Sequence, residues 1–432
     1  MPVWDSVLLD MVGNNTGVNV PVDLKPAPDR RNKDRRSTHI YQADVVLRDA
    51  DTYRPQGYLE FRDAQWNPDD GGTPQLVPED LTVVDWMKVT VVDDGQSPYN
   101  LKRYPGLPLC TEMDMDGRWV PAASLPFSPS LVPTADHHGL VWLPYDCRLR
   151  NIPYRNFVKD LTETNKLVHW FGDNNMQRSA KKITSLGAWC SRPRSLTQKS
   201  ICYCDDAKER FSKYNVDRQE TVVELTMSGG GRSIATQRFS TKDIRGGRAR
   251  MVLFKMDGLS DRLQPGRKKA GNKEPNWKQR FESGMVRRLG SPSMVIVSLS
   301  NWGPALSTRT SFIQDLHLLV THLKSTYVSG IKVVLRTGQY FCCRSDPMGS
   351  KYRNSRLRDR SFDNLIISTF RQTLGNVFDI RVWDVARISE RRPHAFRLED
   401  PRCLTNYSPS DIVDVENQVL FNHLANSRLL LD

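Results

Sequence analysis

Apolar and polar positions change period along the chain. From residue 40 the alternation is two. Tyr41–Arg48, Gly57–Arg62 and Leu81–Val92 are rich in β-branched and aromatic residues and are separated by Pro, Gly and Asp, which predicts strands of a small β module. From about residue 155 short apolar runs alternate with helical spacing. Helices are expected at Asn156–Leu161, Met176–Leu186, Ser311–Ser325, Phe362–Leu374 and Ile412–Leu424. Strands are expected at Lys166–Phe171, Thr221–Thr226, Ala249–Phe254, Ser293–Leu299, Gly330–Leu335 and Phe378–Val385. Apolar strands alternating with helices imply a mostly parallel sheet covered on both faces, with ligands at the carboxyl ends of its strands. The strands at 166–171, 293–299, 330–335 and 378–384 should be neighbours. Residues 1–38 read as a flexible basic tail because Asp29–Arg36 is charged and apolar-poor. Residues 39–105 form the β-rich module, residues 106–150 a Cys/Trp collar of little periodicity, and residues 151–432 the α/β domain.

Composition narrows the classes. Hydrophobic residues make up 38% of 432, enough for a core, so global disorder is excluded. No apolar run approaches about 18 residues, so no transmembrane helix is expected. The first twenty residues lack a basic stretch followed by an apolar one, and no signal peptide is read there. The formal charge is +13, which admits nucleic acid, acidic glycans or anionic surfaces. The basic stretch at 262–289 holds Trp277 and Phe281, yet Pro and Gly break it and no nucleic-acid motif accompanies it. It reads as an exposed insertion, and nucleic acid is not the expected partner.

Metal chemistry finds little footing. The eight cysteines supply only Cys202-Tyr-Cys204 and Cys342-Cys343 as close pairs, without His at finger spacing. His137-His138 beside Asp136 reads as a loop, because adjacent His side chains rarely converge. His317 and His322, five apart, do not share a helix face as i, i+4 ligands do. No metal and no cofactor is expected. Asn14-Asn-Thr16 and Asn406-Tyr-Ser408 are N-glycosylation sequons, the second followed by Pro409.

The sharpest local feature is His169-Trp-Phe-Gly-Asp-Asn-Asn-Met-Gln-Arg178, where an apolar strand ends in Gly-Asp and a helix begins at once. A side chain at such a turn lies beside the free N–H groups of the new helix. That geometry suits a nucleophile whose oxyanion is caught by backbone donors, but the residue in place is Asn174. Asp173 can equally be a helix cap, and Arg178 a brace for the turn.

The order Cys110, Gly117-Arg-Trp-Val120, Trp142-x-Pro-x-x-Cys147, strand, Gly172-Asp173-x-x-x-x-Arg178 and a C-terminal helix resembles the PC-esterase group of SGNH hydrolases. Plant trichome-birefringence-like acetyltransferases and animal neurexophilin/PC-esterase proteins belong to that group. The resemblance covers about residues 105–432. It implies a flavodoxin-like three-layer α/β/α fold and acyl-ester transfer or hydrolysis on carbohydrate in the secretory pathway, in the Golgi or ER lumen or outside the cell. Gly172, Asp173 and Arg178 match the first block and would contact substrate, while the nucleophilic Ser falls on Asn174. The His of the last block falls on Asn406 in Cys403-Leu-Thr-Asn406, or on Ser408 with a shifted alignment. The middle block falls in Ser298–Gly303, where Asn301 or the Gly303 amide would line an oxyanion site.

With Ser and His both replaced, the resemblance implies a degenerate member that retains carbohydrate or acylated-glycan binding. An active O-acyl esterase with a non-standard site is the alternative, and a basic scaffold for acidic polymers a further one. Cys110 and Cys147 are expected to bond other cysteines, or each other, and to tie the collar to the α/β domain.

Overall fold

The computed structural model describes residues 6–26, 41–62, 75–81, 87–189, 220–225, 249–259, 276–340, 356–393 and 410–427, apart from residues 94, 96, 134, 165 and 257. Strands β1 (Ser6–Gly13) and β2 (Asn19–Val22) form a hairpin that places Met11 opposite Val20. The two-residue strands β3 (Lys25–Pro26) and β4 (Tyr41–Gln42) pair with each other. β5 (Asp51–Arg62) lies antiparallel to β1, with β6 (Gln75–Leu81) and β7 (Val89–Val91) on its other edge. Met11, Val18, Val20, Val22 and Tyr53 make the core of this module.

Two expectations change here. Residues 6–13, 19–22 and 25–26 are strands rather than part of a tail, because Val-Leu-Leu-Asp-Met-Val and Val-Asn-Val-Pro-Val carry an apolar face on which Ala43 and Leu47 pack together with Tyr53 of the neighbouring strand β5. The charged run that suggested a tail lies outside the described residues. Of Tyr41–Arg48 only the first two residues are strand, and Ala43 and Leu47 pack irregularly on the core. Of Leu81–Val92, Leu81 belongs to β6 and Val89–Val91 form β7, which pairs with the opposite end of β5; residues 82–86 lie outside the described residues.

The collar holds a second hairpin, β8 (Gly117–Pro121) and β9 (Leu140–Pro144), with Trp119 opposite Trp142. Gly117 is required there, since a Cβ would lie 2.7 Å from the Leu143 carbonyl and from the Trp142 ring. Cys110 and Cys147 are bonded to each other with Cα atoms 5.0 Å apart, so the disulfide closes the collar on itself. Its attachment to the α/β domain is non-covalent. The Trp119 indole N–H donates to the Ile388 carbonyl at 2.8 Å, and Asn426 Nδ2 donates to the Cys110 carbonyl at 2.9 Å. The other six cysteines lie outside the described residues.

The α/β domain follows in chain order: α1 (Tyr154–Glu163), β10 (Leu167–Gly172), α2 (Asn174–Thr184), β11 (Glu220–Leu225), β12 (Ala249–Lys255), α3 (Trp277–Glu282), α4 (Met285–Arg288), β13 (Met294–Ser298), α5 (Gly303–Leu306), α6 (Arg309–Thr326), β14 (Lys332–Arg336), α7 (Arg356–Leu374), β15 (Asp379–Trp383), α8 (Val385–Glu390) and α9 (Ser410–Asn426). The sheet order is β11-β12-β10-β13-β14-β15, parallel except for the edge strand β11. Alternate strand residues face two cores. Val168, Trp170, Ile296 and Val334 meet α1, α2, α9 and the collar tryptophans. Leu167, Phe171, Val295 and Val333 meet α3, α6 and α7. Burial on both faces is why these strands read as unbroken apolar runs. No helix among the described residues is long and apolar enough to cross a membrane.

Candidate functional site

The chain runs from β10 outward to β12 on one side, then returns to β13 and continues to β15 on the other. The reversal makes a topological switch point at the carboxyl ends of β10 and β13, the place where open α/β sheets form a ligand crevice. Asp173 follows β10 directly and caps α2, accepting from the N–H groups of Asn175 at 3.0 Å and Met176 at 3.3 Å. Its second oxygen accepts from Asn301 Nδ2 at 2.6 Å, across from the loop after β13. Asn301 Oδ1 in turn accepts from the N–H of Gln339, just past β14, at 3.2 Å. One carboxylate and one amide thus link the ends of three neighbouring strands.

Gly172 permits this turn by close approach. A Cβ there would lie 3.1 Å from both Met176 Cβ and Ser298 Cβ. Asn174 is the first residue of α2 and is half-buried beside the Asp173–Asn301 bridge. Arg178, one turn on, is buried; its guanidinium lies 5.1 Å from the centre of the Trp189 ring. Gly303 opens α5 and packs against Phe312, whose ring a Cβ would meet at 2.6 Å. Asn406 and Ser408 lie outside the described residues.

Beneath the crevice lies a polar floor that the sequence did not disclose. Ser300 Oγ donates to the Asp363 carboxyl from α7, which also takes the Gly338 N–H at 3.1 Å. Burial pushes the Asp363 carboxyl up to about 8, although these two donors pull the other way. Glu416, inside α9, accepts from Arg336 at 2.8 Å and from Gln339 Nε2 at 2.6 Å. Both ends of the Arg336–Glu416 pair are fully buried. Burial raises the Glu416 carboxyl, with Arg336, Gln339 and Arg178 opposing. Two signals could have been read for it: a cation at the tip of the apolar run Lys-Val-Val-Leu-Arg336, and Glu416 within the stripe of Ile412 and Leu420. Ser300, Gly338 and Asp363 carried none.

Ser300 pairs with a carboxyl, not an imidazole. His169, within β10, faces the core shared with α6 and α7 and lies 2.8 Å from the Tyr327 hydroxyl; burial, then the Arg250 charge, pushes it down to about 3, so it stays neutral. His137, on the collar, lies 2.6 Å from Asp411.

Asp136, His137 and Asp411 bring three potential ligand atoms within 4.8 Å of one another. The Asp136 oxygens already accept from the N–H groups of His138 and Leu140 and from Arg392, whose guanidinium supplies the positive charge at this point. The His137 and His138 rings do come together, with centroids 4.0 Å apart.

No family model matches the chain, and no curated protein does.

Proposed function

We propose that the chain is a degenerate PC-esterase-like domain of the SGNH group, and that its crevice binds an acylated carbohydrate without turning it over. The observation that carries this reading is the Asp173–Asn301 bridge at 2.6 Å beside Asn174. The turn that would present a nucleophile is braced from the neighbouring strand, while the presenting position holds an amide. An amide nitrogen delocalised into its carbonyl has no lone pair comparable to an alkoxide. The half-buried Asn174 and Asn301 suit a hydroxyl- and carbonyl-rich ligand. Passage through the secretory pathway belongs to the same proposal and is supported by the Cys110–Cys147 disulfide, because such bonds persist in oxidising compartments.

The test pairs binding with turnover. Acetylated xylan oligomers should bind, and aryl acetates should not be hydrolysed above the buffer rate. Asn174→Ala should weaken xylan binding without affecting the fold. Asn174→Ser with Asn406→His should produce more esterase activity than Asn174→Ser alone, since triad members act as a unit. Robust wild-type turnover that persists in Asn174→Ala overturns the proposal.

One observation favours the alternative of an active esterase with a non-standard site: the Ser300 hydroxyl is paired with a carboxyl held near 8. Ser300 is only 1% exposed, so substrate does not reach it in this conformation. Turnover abolished by Ser300→Ala would select this reading.

A further inference from the structure

We infer that Asn14 is an N-glycosylation site. The inference rests on the secretory-pathway part of the reading above and is independent of the crevice. Asn14-Asn15-Thr16 occupies the turn between β1 and β2, which Gly17 completes in the left-handed conformation at φ +67°.

The Asp51 carboxylate organises this turn. It accepts from the Asn15 N–H at 3.1 Å, Asn15 Nδ2 at 2.9 Å, the Thr16 N–H at 2.8 Å and the Thr16 hydroxyl at 2.7 Å. Both adjacent asparagines are exposed, but the Asn15 side chain is tied to Asp51, whereas among the described residues the Asn14 side-chain amide has no hydrogen-bond partner. Only its backbone is tied, by an N–H···O bond to Thr52 at 3.1 Å.

Each residue of the sequon can be asked why it is there. Thr16 has a structural reason in Asp51. Asn14 lacks the usual reason for Asn in a turn, because its backbone is not left-handed. A sugar on Asn14 Nδ2 would extend into solvent at the hairpin tip and would break no contact of the fold.

The donor is a lipid-pyrophosphate-linked oligosaccharide. Asn14 Nδ2 bonds to the anomeric carbon and loses one proton to a base. The bond from that carbon to the pyrophosphate oxygen breaks, and the lipid pyrophosphate leaves. The second sequon, at Asn406, lies outside the described residues and is followed by Pro409.

The experiment is peptide mass spectrometry on protein purified from the cells that make it, before and after peptide N-glycosidase, with Cys110 and Cys147 mapped in the same digest. The expected result is an Asn14 peptide that carries hexosamine-linked sugar and is converted to the aspartate form on deglycosylation. Bare Asn14 with the disulfide intact overturns the inference alone. Bare Asn14 with free thiols at 110 and 147 overturns it together with the secretory reading. In a secreted recombinant chain, Asn14→Gln should abolish the gel-mobility shift at this site and leave the melting temperature unchanged. An Asn14 glycopeptide absent from the wild-type secreted chain would also overturn the inference.

Discussion

At Asp363 the fold sets a charge state. Burial lifts its carboxyl from 3.8 to about 8, so the folded chain holds this proton more tightly than the unfolded chain does. A raised acid contributes its stability fully below the unfolded value and loses it as pH climbs toward the folded value. The wild type should therefore lose up to about 4 kcal/mol from this group between about pH 5 and 8. Asp363→Asn copies the neutral form: its carbonyl can accept from both the Gly338 N–H and the Ser300 hydroxyl, which meet the same oxygen in the wild type. Urea denaturation as a function of pH should show a flatter profile for Asp363→Asn, and greater stability than wild type near pH 8. Identical profiles would show that Asp363 is not a buried neutral acid.

Among the elements, α9 is held to the sheet by charge as well as by its apolar stripe. Arg336 at the tip of β14 and Glu416 in the second turn of α9 are both at 0% exposure, and the Trp383 indole N–H bonds the Glu416 carbonyl at 3.0 Å. Removing one partner strands a buried charge. Glu416→Ala should cost about 3–5 kcal/mol. Arg336→Met with Glu416→Leu removes both charges and keeps volume, and should recover most of that loss. Comparison of the three denaturation midpoints checks this; a double variant as unstable as Glu416→Ala would mean the pair is not coupled. The same helix orders the crevice, because Glu416 holds the Gln339 amide while the Gln339 N–H meets Asn301.

Across the whole molecule, three parts are joined at polar seams. Arg356 at the start of α7 meets Asp10 of β1 at 3.3 Å, and Asn19 of β2 donates to the Glu390 carbonyl at 3.3 Å, which fastens the N-terminal module to the α/β domain. The collar is closed by one disulfide over a sequence separation of 37. In the chain-entropy account a loop of that length contributes about 4 kcal/mol. Cys110→Ala with Cys147→Ala should lower stability by roughly that amount. The collar strands should then exchange amide hydrogens faster, while β10, β13 and β14 stay protected. Uniform loss of protection over the α/β sheet would show instead that collar and sheet unfold as one unit.

The amino-acid sequence by itself determined the parallel sheet. Strands buried on both faces must be apolar at every position, so Lys166–Phe171, Ser293–Leu299 and Gly330–Leu335 stood out, and all three are strands of one sheet. It also determined the Gly172-Asp173 turn, because a strand that ends against a helix cap has a local signature. The β1–β2 hairpin was missed: a neighbouring run of charge outweighed two short alternating segments whose apolar face becomes meaningful only once β5 pairs beside them and Ala43 and Leu47 pack on it. The bridge from Asp173 to Asn301 and Gln339 was decided by tertiary structure alone. So was the floor of Ser300, Asp363, Arg336 and Glu416. These residues come from separate strands and helices, and nothing local couples them. They meet because the strand order places β10, β13 and β14 side by side and lays α7 and α9 on opposite faces. Buried polar groups then had to find one another, since water was no longer there to satisfy them.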